Sequence, residues 1–500
     1  MSYTKHELWG AFTAIALTLF LGSLDMAAIP TALPAIASSF SENTGVSWIM
    51  TAYMLGATVT APIYGKLSDI YGSRRMLIIA LLIFMCGALL CTTASNVYLL
   101  ISFRLLQGLG SGGLMVLAFI TIGRIVPVEK QGWYQGLLAG IFAFAALIGP
   151  LLGGIVAQYL SWRWIFIIYL PLVVTALILA YKFLKPMPAI NQGRQVDIIG
   201  AILLTLWIID LLFLINQFSG GTSSGVAVTP KLIGLCGGAI IFLIMFVLQE
   251  KRVENPLIPL KLSHNQNFAI SVLAILISSI SSFAATFFLP QYFQLVMEVS
   301  PTVSGLLLEP VQIGMIIGPI FGGWLSAKFM SYRSCLLLWV SLIAIMYFML
   351  AWPHDILLVS IIAIPTLILL GAALGVIMPL MTVAIQNSVD KSNIGTATAT
   401  LGLARSLGSL IGGVLFGMVY SSGLSWQLLN SELTITTIQK VLQNGVAIVT
   451  DLPMNEHKLV VGAFSNAFNI LFLIAGILAA ISLGIILLMK HQNLQMVENK

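Results

Sequence analysis

The sequence predicts an all-α integral membrane protein, and three observations predict it. Of its 500 residues 59% are hydrophobic and 8% charged, against about 45–50% apolar and about 25% charged in an average soluble domain. Mean hydropathy is +1.02. The apolar residues also gather into runs long enough to cross a bilayer, which takes about 20 residues as a helix. Fourteen such segments follow one another, at about 9–37, 45–65, 75–95, 97–121, 133–157, 162–184, 197–217, 231–250, 266–292, 302–326, 333–352, 356–383, 393–420 and 463–489. Inside a bilayer the backbone must satisfy its own hydrogen bonds, so each run is expected as a helix. The first is read as a span and not a cleaved leader, because it carries Asp25 and leads straight into the next.

The basic residues orient these spans. With both termini in the cytoplasm, Lys5, Lys66, Arg74, Arg75, Arg124, Lys130, Lys182, Lys185, Arg194, Lys251, Arg252, Lys261, Lys328, Arg333, Lys391, Lys490 and Lys500 lie inside, while Arg163, Lys231, Lys440 and Lys458 lie outside. That bias is the positive-inside pattern of a multi-pass protein, here expected in the cell (cytoplasmic) membrane. It accounts for the net charge of +6 without a nucleic-acid partner. Cys86, Cys91, Cys236 and Cys335 fall in or beside spans without metal-ligand spacing and are expected as free thiols.

An internal repeat groups the spans. The stretch "GKLSDIYGSRRM" from Gly65 has an echo 258 residues later in "GGWLSAKFMSYRS", where Leu67, Ser68 and Arg75 match Leu325, Ser326 and Arg333 but Asp69 becomes Ala327 and Gly72 becomes Met330. The chain therefore divides into a six-helix bundle (1–184), a linker carrying two extra transmembrane helices (185–264), and a second six-helix bundle (265–500). An extracytoplasmic loop at about 421–462 carries an amphipathic helical pattern. Parallel six-helix repeats are a layout of secondary transporters, whose two bundles rock about a central site.

Residues 65–75 resemble the cytoplasmic loop motif of the major facilitator superfamily, G-x-L-x-D-x-x-G-x-R-R, and match it at every specified position. "RLLQGLGSGG" from Arg104 is similar to the span-4 motif. Gly136, Ala145, Gly149, Pro150 and Gly153 resemble the antiporter motif of span 5, with Ala145 in place of a glycine. "LDMAAIPTALP" from Leu24, "SWRWIF" at 161–166 and "ENPLIPLKL" at 254–262 are similar to the fourteen-span drug:proton antiporter subgroup. The resemblance covers almost the whole chain. It implies the major facilitator fold, exchange of protons for amphipathic drugs, no cofactor beyond the proton gradient, and a span 5 that seals the bundle against proton leak. Ordinary tight helix packing is the other reading of that small-residue stretch.

The charged residues then acquire candidate roles. Gly65 and Gly72 supply close approach or a tight turn. Asp69 is expected to face the positive end of a neighbouring helix or to pair with Arg74 or Arg75, making the loop a conformational latch; the alternative is topology anchoring alone. Charges inside spans are costly unless paired or wet. Asp25 and Arg104 are the first candidates for proton coupling or substrate binding, with a structural ion pair as the alternative. Glu309 is a candidate cation-recognising carboxylate, or a side chain snorkelling to the outer interface. Asp210 lies further from the expected cavity. Arg405 is read equally as a transport residue or as packed on carbonyls, and Gln291 and Tyr292 in "LPQYFQ" are placed near the outer mouth.

No phosphate loop, metal-ligand run or Ser/His/Asp cluster occurs in the sequence, so an enzyme or an ATP-driven pump is not expected. The function expected is export of amphipathic, cationic compounds against protons by a monomer, which implies multidrug efflux and antibiotic resistance. A carrier dedicated to one physiological metabolite or lipid is the alternative, and a channel or sensor on the same scaffold is a distant third.

Overall fold

The computed structural model describes residues 3–40, 46–186, 197–219, 230–253, 256–258, 262, 264–329, 331–352, 363–431, 433–434, 437–438, 441 and 453–490. Among them all regular structure is helical. The first bundle comprises α1 (Lys5–Phe40), α2 (Val46–Tyr71), α3 (Ser73–Thr92), α4 (Val97–Ile125), α5 (Val128–Tyr159) and α6 (Arg163–Phe183). Two further helices follow, α7 (Ile198–Ser219) and α8 (Pro230–Arg252). The second bundle begins with α9 (Gln266–Phe283), which runs through a π turn at Ala284–Phe288 into α10 (Leu289–Leu295). It continues with α11 (Pro301–Phe329), α12 (Tyr332–Ala351), α13 (Ala363–Asn387), α14 (Ile394–Leu429) and α15 (Met454–Leu487).

Side-chain caps mark where several helices start. The Asn96 side chain accepts from the Leu99 amide at α4, that of Asn265 from Asn267 and Phe268 at α9, and that of Ser331 from Ser334 at α12. Each satisfies an amide that the first turn leaves without a helical partner. Between α2 and α3 the chain turns at Gly72, whose φ of 87° suits glycine.

By length and composition, twelve helices among the described residues can cross a membrane. The segments expected as spans at 45–65 and 197–217 are helical, in α2 and α7, but are not among the twelve. The side chains of 46–47 at the start of α2 and of 215–219 at the end of α7 lie outside the described residues, so that count takes in only part of each helix.

Each bundle has its own apolar core. One is centred on side chains such as Leu24, Phe84 and Phe166, the other on Phe293, Tyr347 and Phe472. A small third cluster joins Val59 of α2 and Leu403 of α14 to Leu203, Leu204, Ile208 and Phe246. The extra pair α7–α8 thus lies over the seam between α2 and α14.

The loop expected at 421–462 is shorter than its composition suggested. Residues 421–429 extend α14 and 454–462 open α15, because Leu424 and Leu428, and later Val460, are buried in the second core. Much of the amphipathic stretch between them lies outside the described residues, as do residues 353–362 at the start of the expected span 356–383.

The repeat persists in atomic detail, with one change of register. The Ser68 hydroxyl donates to the Gly65 carbonyl at 2.8 Å, and Ser326 donates to Gly323 at 2.9 Å. Arg74 Nη2 donates to the Tyr181 carbonyl of α6 at 2.7 Å, and Arg333 Nη2 to the Leu487 carbonyl of α15 at 2.8 Å. Arg333 is therefore the counterpart of Arg74 and not of Arg75. The N-cap Ser331 likewise matches the N-cap Gly72, so the second copy holds one extra residue between helices.

Candidate functional site

Asp69 ends α2 with its carboxylate against the first residues of α14. The Gly395 amide donates to Oδ1 at 2.9 Å, while the Thr396 amide and hydroxyl donate to Oδ2 at 2.8 and 2.7 Å. Arg124, at the end of α4, forms an ion pair with Asp69 and donates to the Ser68 carbonyl at 2.9 Å. Of the two partners expected for Asp69, the helix N-terminus is the one present. Arg74 instead ties α3 to α6 and lies 5.2 Å from the Tyr181 ring centroid, and Arg75 is exposed. Gly65 makes the approach possible, since a methyl group there would collide with Ala399 and the Gly395 carbonyl.

The opposite flank is closed in a related way. Gly136 of α5 lies on the Pro319 carbonyl and against Gly323 of α11, with Gly132 one turn away on Gly323 and Ser326. Gly149 and Gly153 do not share this interface: they face Ala27 and Ala28 of α1, within the first bundle. Pro150 is exposed. The span-5 motif therefore divides into one glycine at the bundle seam and two that seat α1. Between the flanks, Gln386 donates to the Phe119 carbonyl at 3.1 Å and to Thr398 at 3.0 Å, and accepts from Gln135 at 3.2 Å.

Asp25 and Arg104 meet at the centre of the first bundle. Arg104 Nη1 donates to the two Asp25 oxygens at 2.9 and 2.8 Å and to Gln107 Oε1 at 2.8 Å, and both charged side chains are wholly buried. The guanidinium carbon lies 4.0 Å from the Tyr53 ring centroid. The Tyr53 hydroxyl hydrogen-bonds Ser111 Oγ at 2.6 Å and the Gly22 carbonyl at 3.3 Å. One face of this pair is thus covered by a tyrosine that reaches the space between the bundles.

That space is a cavity of about 390 Å³. Its wall includes Met26, Met54, Met115, Met315 and Met378 with Phe119, Phe142, Phe283 and Phe287, and its polar lining is mostly hydroxyls, among them Tyr53, Ser278, Ser279, Ser282 and Ser409. The π turn of α9 falls here and brings Thr286 and Phe287 into the wall. Asp25 and Arg104 do not line the cavity, because each is consumed by the other behind Tyr53. Gln291 is exposed away from it. Tyr292 is half-buried against Phe468 and Phe472, at 5.6 and 6.1 Å between ring centroids. Glu309 is half-buried on α11 and also absent from the wall. Asp210 turns to Gly238 of α8, where its Oδ2 is buried without a hydrogen-bond partner.

Arg405 is the charged side chain that does line the cavity. It makes no hydrogen bond to a carbonyl among the described residues. Its Nε is buried without a partner, and its guanidinium carbon stands 6.0 Å from the Phe142 ring centroid across the seam. The sequence reading missed Arg124, Thr396, Gln135 and Gln386. In the sequence Arg124 carries only the signal of a topology charge, Gln135 stands between Tyr134 and Gly136, and Gln386 closes an apolar run just before Asn387 and Ser388, a weaker signal than an intramembrane charge.

A family model described as Major Facilitator Superfamily matches residues 15–413. The chain belongs to the major facilitator superfamily. This major facilitator transporter is 31% identical over 427 residues to the multidrug transporter protein MdtP of Bacillus subtilis (strain 168), covering 84% of this chain and 76% of the relative. It is 31% identical over 473 residues to the MFS-type efflux pump LUC4 of Fusarium sp, covering 92% and 81%. Its fold matches that of the proton:xylose symporter XylE with a TM-score of 0.63 at 14% identity, over 99% of both chains.

Proposed function

We propose that this transporter exports amphipathic compounds by alternating access, driven by inward proton movement across the cytoplasmic membrane. It acts as a monomer with fourteen spans, α2 and α7 included, and with both termini in the cytoplasm. The observation that carries this reading is the apolar cavity between bundles clasped on one side of it, by Asp69 on α14, Gly136 on α11 and Gln386 on Phe119. With the latch in the cytoplasm, the structure is the outward-facing state, and release of the latch gives the other. The multidrug and efflux names of the relatives support export.

Proton coupling is assigned to Asp25. Its pairing with Arg104 is complete in this state. Separating the pair leaves two uncompensated charges in a dry interior, and protonation of Asp25 removes one of them. Tyr53 touches both the pair and the cavity, so a substrate that displaces the ring disturbs the pair.

Everted vesicles under an imposed proton gradient test this, with cationic, neutral and anionic fluorescent amphiphiles as probes. Wild type should accumulate at least one probe and dissipate the gradient, and Asp25→Asn should do neither. A wild type indifferent to the gradient sinks the export reading, and an Asp25→Asn variant that still exchanges protons moves the coupling elsewhere. One observation favours the second reading, a carrier dedicated to one physiological solute: the fixed cation in the cavity, Arg405. It would appear as transport of a single compound in a broad screen.

A further inference from the structure

The expected cationic substrate finds no counterpart in the cavity. Among the described residues no carboxylate lines it. Asp25 is consumed by Arg104, Asp210 faces Gly238, and Glu309 lies outside the wall. What the wall does present is Arg405, with one guanidinium nitrogen buried and unpartnered. A lone guanidinium in a low-dielectric cavity sets a positive potential that water screens poorly. A substrate cation would add to that charge, whereas an anion would neutralise it.

The surroundings are arranged for such a neutralisation. Arg405 and Ser409 lie one turn apart on α14, while Ser279 of α9 approaches α14 at Gly408, so hydroxyls from two helices accompany the guanidinium. A guanidinium offers a planar fork of donors that fits carboxylate, sulfonate or phosphate oxygens. The remaining wall of methionine and phenylalanine accommodates an apolar body of varied shape.

We propose that Arg405 is an anion-recognition residue of the central cavity, and that the preferred substrates are amphipathic organic anions with one acidic head group on an apolar body. This rests on the export reading only for the direction of transport; recognition is tested separately. Whether the head group belongs to a free solute or to a membrane lipid, the chemistry at Arg405 is the same.

The test uses the full chain in nanodiscs and three radiolabelled probes of one ring system: naphthylacetate, its uncharged amide, and the cationic naphthylethylamine. Equilibrium binding should favour the carboxylate over the amine by about tenfold or more, a difference of about 1.4 kcal/mol. Arg405→Gln should reduce carboxylate affinity to that of the amide and leave the amide within about threefold, which also shows that the variant is folded. Arg405→Lys should restore most of the preference. Discs of zwitterionic lipid against discs containing phosphatidylglycerol separate the sources: suppression by the anionic lipid assigns the site to a lipid head group, and its absence to a free solute. The proposal is overturned if wild type prefers the amine, if it binds none of the three, or if Arg405→Gln leaves the carboxylate-to-amide ratio unchanged. Gradient-driven uptake of the same probes scores the export reading independently.

Discussion

Two arginines in the membrane zone have opposite circumstances, and their substitutions should differ accordingly. Arg104 is paired through Nη1 with Asp25 and Gln107, its Nε and Nη2 being buried without partners, so Asp25→Ala leaves a buried cation without its anion. Breaking a buried pair in this way costs about 3–5 kcal/mol, and denaturant titration of the reconstituted protein should show a loss of that order. Arg405 has no anion to lose, so Arg405→Gln should leave the same titration unchanged to within about 1 kcal/mol, the scale of a substitution away from any paired network. Composition alone could flag both residues, since a charge in an apolar run is conspicuous at any position. It could not say which charge was already neutralised, because Asp25 and Arg104 are brought together by tertiary packing of α1 on α4. This is why Asp25 looked like a cavity residue in the sequence and Arg405 looked secondary.

At the level of helices, the proposed latch is a carboxylate on one bundle held by the first amides of a helix in the other. Removing its charge forfeits the attraction of the helix N-terminus, worth up to about 2 kcal/mol in a partly buried setting, together with the Arg124 pair. Asp69→Asn should therefore shift the population roughly tenfold or more toward the state open at the latch. Spin labels at Arg75 and Lys391, on a background without the four native cysteines, would report it as a longer distance component; an unchanged distribution would reduce the latch to an anchor. Gly136→Val should act in the same direction through bulk, since its side chain has no room against the Pro319 carbonyl. Most helices could be placed from their apolar runs, but their ends could not. Helix α14 continues to Leu429 because Leu424 and Leu428 find partners in the second core, and the π turn in α9 leaves no mark in hydropathy.

For the whole molecule, the two states predict opposite accessibility. Thr286 is exposed and lines the cavity. A cysteine at this position should react with an impermeant maleimide applied from the side away from the latch, and Asp69→Asn should slow that reaction in proportion to the latch-closed population it removes. The two-bundle plan was visible in the sequence because the repeat preserves Gly65 and Gly323 with their serines. The slip that makes Arg333 the partner of Arg74 was not, since two adjacent arginines align equally well until their acceptors are known. The place of α7 and α8 has a consequence for how lipid meets the two seams. They cover the α2–α14 flank, while on the α5–α11 flank Phe144, Ile155, Ile317 and Phe321 remain exposed. Lipid therefore packs directly on the closed α5–α11 seam but is kept from the α2–α14 seam by two intervening helices.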